Sequence, residues 1–104
     1  MEQTESVMKD LIDECHDDYV GLSKIISVIR QSFDQKDVVE TTLTVISRLL
    51  QQDIVAGQFY DNKFPEWQMS NDQTMEKIKS DWARLGREPT PGDVVWLTAK
   101  EGLS

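Results

Sequence analysis

For its first fifty positions the chain repeats apolar residues at three- and four-residue steps, and beyond them the repeat breaks. A repeat of that period places apolar side chains on one helical stripe, so the first half must bury helices. Val7, Met8, Leu11, Ile12, Cys15 and Tyr19 mark a first helix from about Glu5 to Cys15. Asp17 and Asp18 form a boundary, and Asp18 suits the N-cap of a second helix from about Tyr19 to Ser32. Leu22, Ile25, Ile26, Ile29 and Phe33 give that helix its apolar face. A third begins near Asp37, a candidate cap, with Glu40 in its first turn and Val39, Leu43, Ile46 and Leu50 along its stripe. The β-branched residues of 38–45 would also suit a strand, but the length of the run favours helix.

The second half mixes periods. Ile54 to Tyr60 reads as a strand, Asp61-Asn62-Lys63 as a turn, and Phe64 to Met69 as a second short strand that Pro65 pushes to a sheet edge. Asn71 or Asp72 caps a fourth helix carrying Met75, Ile78, Trp82 and Leu85, which Gly86, Pro89 and Pro91 stop. Asp93 to Thr98 is a last strand, followed by a Lys100-Glu101-Gly102 turn. At 104 residues this is one domain, with an acidic N-terminal helix over 1–16 and a helical/β core over 17–102. The expected class is α+β, with three to four helices packed on a two- to three-stranded antiparallel sheet. Three helices followed by a ribbon compare with winged-helix domains.

Several function classes find no support. The N-terminus lacks the basic start and apolar stretch of a secretory signal, no apolar run reaches a membrane span, and a cytoplasmic location is expected. One cysteine cannot form an internal disulfide. The five glycines are scattered singly, which excludes a phosphate-binding loop, and no metal or nucleophile motif occurs. Cys15 and His16 are adjacent, so on a helix they point about 100° apart and cannot face one ion. Cys15 is read as a core residue and His16 as a surface one. No enzyme activity, cofactor or metal is expected.

Charge is distributed unevenly. The net charge is -8, and residues 1–20 hold seven acids against Lys9 alone. On the first helix Asp10, Asp13, Glu14 and Asp17 share a face, and Asp18 follows. Like charges at that spacing cost a helix a few tenths of a kcal/mol per pair, roughly, so the cluster does not serve the helix itself. It fits a docking surface for a basic partner, and it equally fits a solvated face that keeps the protein soluble. The same acidity disfavours direct nucleic-acid binding. The third helix sets Arg48 against Asp37, Glu40 and Asp53, and the fourth balances its charges, so neither offers a basic stripe. Trp82 and Trp96 lie on apolar stretches and read as core. Trp67, in a polar loop after Tyr60 and Asp61, reads either as an interface anchor or as a cover for the sheet end.

Read together, several stretches carry a resemblance. Asp18-Tyr19-Val20-Gly21-Leu22 opens into Ile25-Ile26-Ser27-Val28-Ile29-Arg30, and Leu49-Leu50 leads to Ile54-Val55-Ala56-Gly57-Gln58-Phe59. Phe64-Pro65-Glu66-Trp67, Trp82-Ala83-Arg84-Leu85-Gly86-Arg87 and Pro89-Thr90-Pro91-Gly92-Asp93-Val94-Val95-Trp96 follow. Over about residues 17–102 the order resembles small bacterial immunity proteins of contact-dependent growth inhibition and related polymorphic toxins. The resemblance implies an inhibitor that binds a cognate toxin domain, often a basic nuclease, as a monomer in a 1:1 complex. Asp10, Asp13, Glu14, Asp17 and Asp18 are then the expected contact residues, with Asp61 and Trp67 as a second patch. The helix-one acids lie largely outside the matching region, so their role comes from charge rather than resemblance. The alternatives are a winged-helix-like DNA-binding regulator and a generic interaction module.

Overall fold

The computed structural model describes residues 2–32, 37–59 and 61–100, with side chains from Glu5 onward. Expectations placed on Phe33, Tyr60 and the Glu101-Gly102 turn lie outside the described residues. Four helices and three short strands follow in the order α1 (Glu2–Asp17), β1 (Val20–Gly21), α2 (Leu22–Ser32), α3 (Val38–Leu50), β2 (Ile54–Gly57), α4 (Asn71–Leu85) and β3 (Trp96–Ala99). The strands form one antiparallel sheet in the order β1-β3-β2, which makes this an α+β fold. Three helices and a ribbon are what the winged-helix comparison anticipates; α4, inserted between β2 and β3, is the addition.

The helical stripes do what their period requires. Val7, Met8, Leu11 and Cys15 of α1 are buried with Leu22, Ile25, Ile26 and Ile29 of α2 and Val45, Ile46, Leu49 and Leu50 of α3. The acidic helix is therefore part of the core. Its end is also tied to the sheet, where the Thr98 hydroxyl donates to the Cys15 carbonyl at 3.2 Å. The radius of gyration, 12.9 Å, is that of a well-packed domain of this length.

Strand β1 is a difference from the sequence reading, which began the second helix at Tyr19. Two residues carry no periodicity, so only pairing reveals the strand: Val20 faces Leu97 and Gly21 faces Trp96. Asp18 accordingly does not cap α2; its Oδ1 accepts from the Tyr19 amide at 2.7 Å and shapes the turn into β1. Trp96 is flanked across the sheet by Gly21 on one side and Gly57 on the other. A Cβ at Gly21 would sit 3.2 Å from the Trp96 ring, and one at Gly57 would sit 2.8 Å from the Pro65 carbonyl oxygen. Gly57 needs glycine because backbone occupies the space of a side chain, while at Gly21 the Trp96 ring would have to shift by a few tenths of an ångström.

The stretch from Phe64 to Met69 is not a second strand. Glu66 makes a single bridge to Gly57, and the Trp67 amide donates to the Ala56 carbonyl at 2.8 Å. Pro65 has no amide to donate, and Asp61 and Asn62 both hold left-handed backbone (φ 53° and 62°), so pairing does not propagate.

Helix caps differ in detail from the expected ones. Ser70 rather than Asn71 or Asp72 caps α4: its hydroxyl accepts from the Gln73 amide, and the Gln73 side chain accepts from the Ser70 amide. Asp37 precedes α3 without a side-chain capping bond, because its backbone (φ -125°, ψ 52°) is not the extended form that aims such a bond. Gly86 ends α4 in left-handed conformation, as its position suggests.

Beyond it, the Asp93 carboxylate accepts from the Thr90 amide and hydroxyl, each at 2.9 Å, and from Arg87 at 2.7 Å. The chain then enters β3 through Val94, whose φ of 67° and the 2.7 Å bond from the Val95 amide to the Asp93 carbonyl describe a γ-turn. The two most distinctive runs of the sequence, at 82–87 and 89–96, thus meet as scaffold through Arg87 and Asp93.

Candidate interaction surface

Burying one stripe of α1 turns the other outward. Lys9, Asp10, Asp13, Glu14, His16 and Asp17 are all exposed. Glu14 lies 3.7 Å from Lys24, and Glu5 receives Arg48 at 3.3 Å. Asp10, Asp13 and Asp17 have no ion-pair partner among the described residues. Three carboxylates on one exposed face are thus left without a counter-charge from the fold.

Two residues beyond the end of α1, Tyr19 belongs to a set of packed rings. Tyr19 contacts Phe59 edge-to-face (centroids 4.6 Å apart) and Phe64 (4.8 Å), while Phe59 meets Phe64 at 5.4 Å and Trp96 at 5.6 Å. Tyr19 precedes β1, Phe59 follows β2, and Trp96 opens β3, which pairs with both strands and carries its ring between them. Phe59 remains 45% exposed, an unusual state for a large apolar ring already packed on its neighbours.

Asp18 adjoins Tyr19, and Asp61 stands in the turn between Phe59 and Phe64, so each carboxylate borders the cluster. Aromatic side chains ringed by polar ones are the composition of a protein-binding patch.

The expected pairing of Asp61 with Trp67 takes a different form. Asp61 lines a cavity of about 500 Å³ with Lys63, Phe64 and Pro65. Trp67 lines another, of about 400 Å³, with residues that include Gln58, Lys77 and Leu85. Trp67 is half-buried against the core, and the Lys77 ammonium stands 4.9 Å from its ring centroid. Nor are the other tryptophans fully interior: Trp82 and Trp96 are each half-buried. Tyr19, Phe59 and Phe64 were not singled out as a group by the sequence, since they lie up to 45 positions apart. Their signal was indirect: apolar rings at element ends, bordered by acids.

The groups that might do chemistry are arranged otherwise. Cys15 is buried, and its thiol is pushed up to about 12 by that burial, with a smaller contribution from the Glu14 charge. A thiol held protonated is a packing residue rather than a nucleophile. His16, next to it and about 100° around the helix, is exposed. Among the described residues no group of three or more His, Cys, Asp or Glu could hold a metal ion, and no helix is long and apolar enough to cross a membrane. The carboxyls held below their usual range, Glu88 by Arg30 and Asp93 by Arg87 and Thr90, belong to scaffold ion pairs. Compared with protein-family models, with curated proteins and with solved structures, the chain matches none.

Proposed function

We propose that this chain is a non-enzymatic binding protein of the immunity type, which neutralises a basic bacterial toxin domain by forming a 1:1 complex with it. The observation that carries the reading is the set of exposed acids on α1, three of them without an ion partner among the described residues, together with the acid-bordered rings that begin two residues past the helix. A nuclease that binds phosphates must present a basic surface, and Asp10, Asp13, Asp17, Asp18 and Asp61 supply the complementary field. Phe59, with Tyr19 and Phe64 beneath it, supplies apolar area that binding would desolvate. Long-range charge sets how fast the partners meet; the rings set how long they stay. Glu14, already near Lys24, contributes less than its neighbours, and Trp67 lies outside this surface.

The DNA-binding alternative rests on the arrangement of helices and ribbon. The exposed positions of α3 include Val39, Glu40 and Thr44, and Arg48 is engaged by Glu5, which leaves that helix without a phosphate-attracting stripe.

Growth rescue tests the proposal. The C-terminal domain encoded immediately upstream is expressed alone and with this protein. Arrest alone and growth on co-expression are expected. Toxicity that this protein leaves unchanged would reject the immunity role.

A further inference from the structure

A second surface, built from α3 and α4, shares no residue with the acid-bordered rings. Val39 and Leu43 of α3 and Trp82 and Ala83 of α4 line a cleft of about 460 Å³, and the turn at Gly86 and Arg87 bounds it. That volume lies within the range of small-ligand sites, and the lining has their composition: apolar walls with few charged groups. Val39 is 53% exposed here, apolar surface that the fold itself leaves uncovered.

Among the described residues the charges of the cleft have one sign: Lys79 and Arg87 line it and no carboxylate does, in a chain whose net charge is -8. Arg87 is already held by Asp93 at 2.7 and 3.4 Å, whereas Lys79 has no ion partner among the described residues. A neighbouring cavity of about 550 Å³ shares Val39, Leu43 and Lys79 but adds Asp37, Glu40 and an Arg30 already held by Glu88, so an anionic group is favoured toward the Arg87 end. We propose that this cleft binds a small amphiphilic anion, an aromatic or alkyl carboxylate. Its apolar body lies on Trp82 between the two helices, and its charged group faces Lys79. This site does not depend on the toxin-binding reading.

The test titrates the full chain with naphthalene-2-carboxylate and, in parallel, with the neutral naphthalene-2-methanol, following methyl resonances of Val39 and Leu43 and the Trp82 indole. Saturable shifts at these three residues with one carboxylate per chain are expected. The neutral analogue should bind about two- to fivefold more weakly, the range of one exposed ion pair. Lys79→Gln, an exposed substitution, should erase that difference, and Ala83→Phe should abolish binding by filling the cleft while the melting temperature holds. Shifts that do not saturate, shifts confined to Tyr19, Phe59 and Phe64, or equal affinity for the two probes would overturn the proposal.

Discussion

Thr42 shows how much a single side chain can cost. It is fully buried on α3, and its hydroxyl has no hydrogen-bond partner among the described residues. A buried polar atom without a partner has lost its water and gained nothing in exchange. Replacing it by valine keeps the branched shape and removes the unsatisfied group. Thr42→Val should raise stability by about 1 kcal/mol, read as a higher urea midpoint at unchanged slope. A lower midpoint would mean that the hydroxyl does find a partner. Val94 is the other costly residue, a β-branched side chain at φ 67°, a region such residues rarely enter. Its strain is held by the Asp93 cluster before it and the β3 pairing after it.

Helix α4 depends on its ends. Its polar faces leave only Thr74 and Ile78 fully buried, so packing holds it less firmly than α2 or α3. Ser70→Ala removes the capping box and should cost about 1 kcal/mol in chemical unfolding, with Ser70→Gly costing less. If alanine has no effect, the tie from the Asn71 side chain to the Leu50 carbonyl (3.4 Å) is setting the start of the helix instead.

The segment after α4 makes the fold sensitive to acid. Arg87 and the Thr90 donors hold the Asp93 carboxyl below its usual range, and Arg30 does the same for Glu88. A carboxyl whose folded pKa is depressed binds its proton more readily when unfolded. What it adds to stability is therefore complete above the unfolded value, about 4, and drains away as pH falls through the folded one. The melting temperature should drop below pH 4, and Asp93→Asn should start lower at pH 7 and fall less steeply. Equal slopes in the two proteins would show that Asp93 is not the group being titrated.

At the scale of the whole molecule, charge and packing are divided between the two faces of one helix. The apolar stripe of α1 completes the core; its acids from Glu5 onward form an exposed field in which, among the described residues, Glu5 and Glu14 are the ones near cations. Reversing Asp10, Asp13 and Asp17 to lysine should therefore leave the melting temperature within a few degrees. It should slow association with the partner found by growth rescue about tenfold or more at low salt, with dissociation changed less. Association that is equally fast at low salt would remove α1 from the binding surface, and a collapse in stability would show that these acids serve the fold.

Local periodicity and turn chemistry were enough to place every helix, the end of α4 at Gly86, the core role of Cys15 and the concentration of acid in α1. Those features follow from contacts three or four residues apart and from side-chain chemistry that does not depend on the rest of the chain. Strand β1 was not legible, because two residues have no period and exist as a strand only by pairing with Leu97 and Trp96. The cap at Ser70 rather than Asn71 was by contrast legible, because Ser70 and Gln73 stand at the spacing of a capping box. Tertiary structure alone gathered Tyr19, Phe59, Phe64 and Trp96, sent Asp61 and Trp67 to separate cavities, and set Val39 and Leu43 of α3 opposite Trp82 of α4 along a cleft. Such contacts join positions tens of residues apart, and their geometry is decided by which strand edges and helix faces meet once the core has closed.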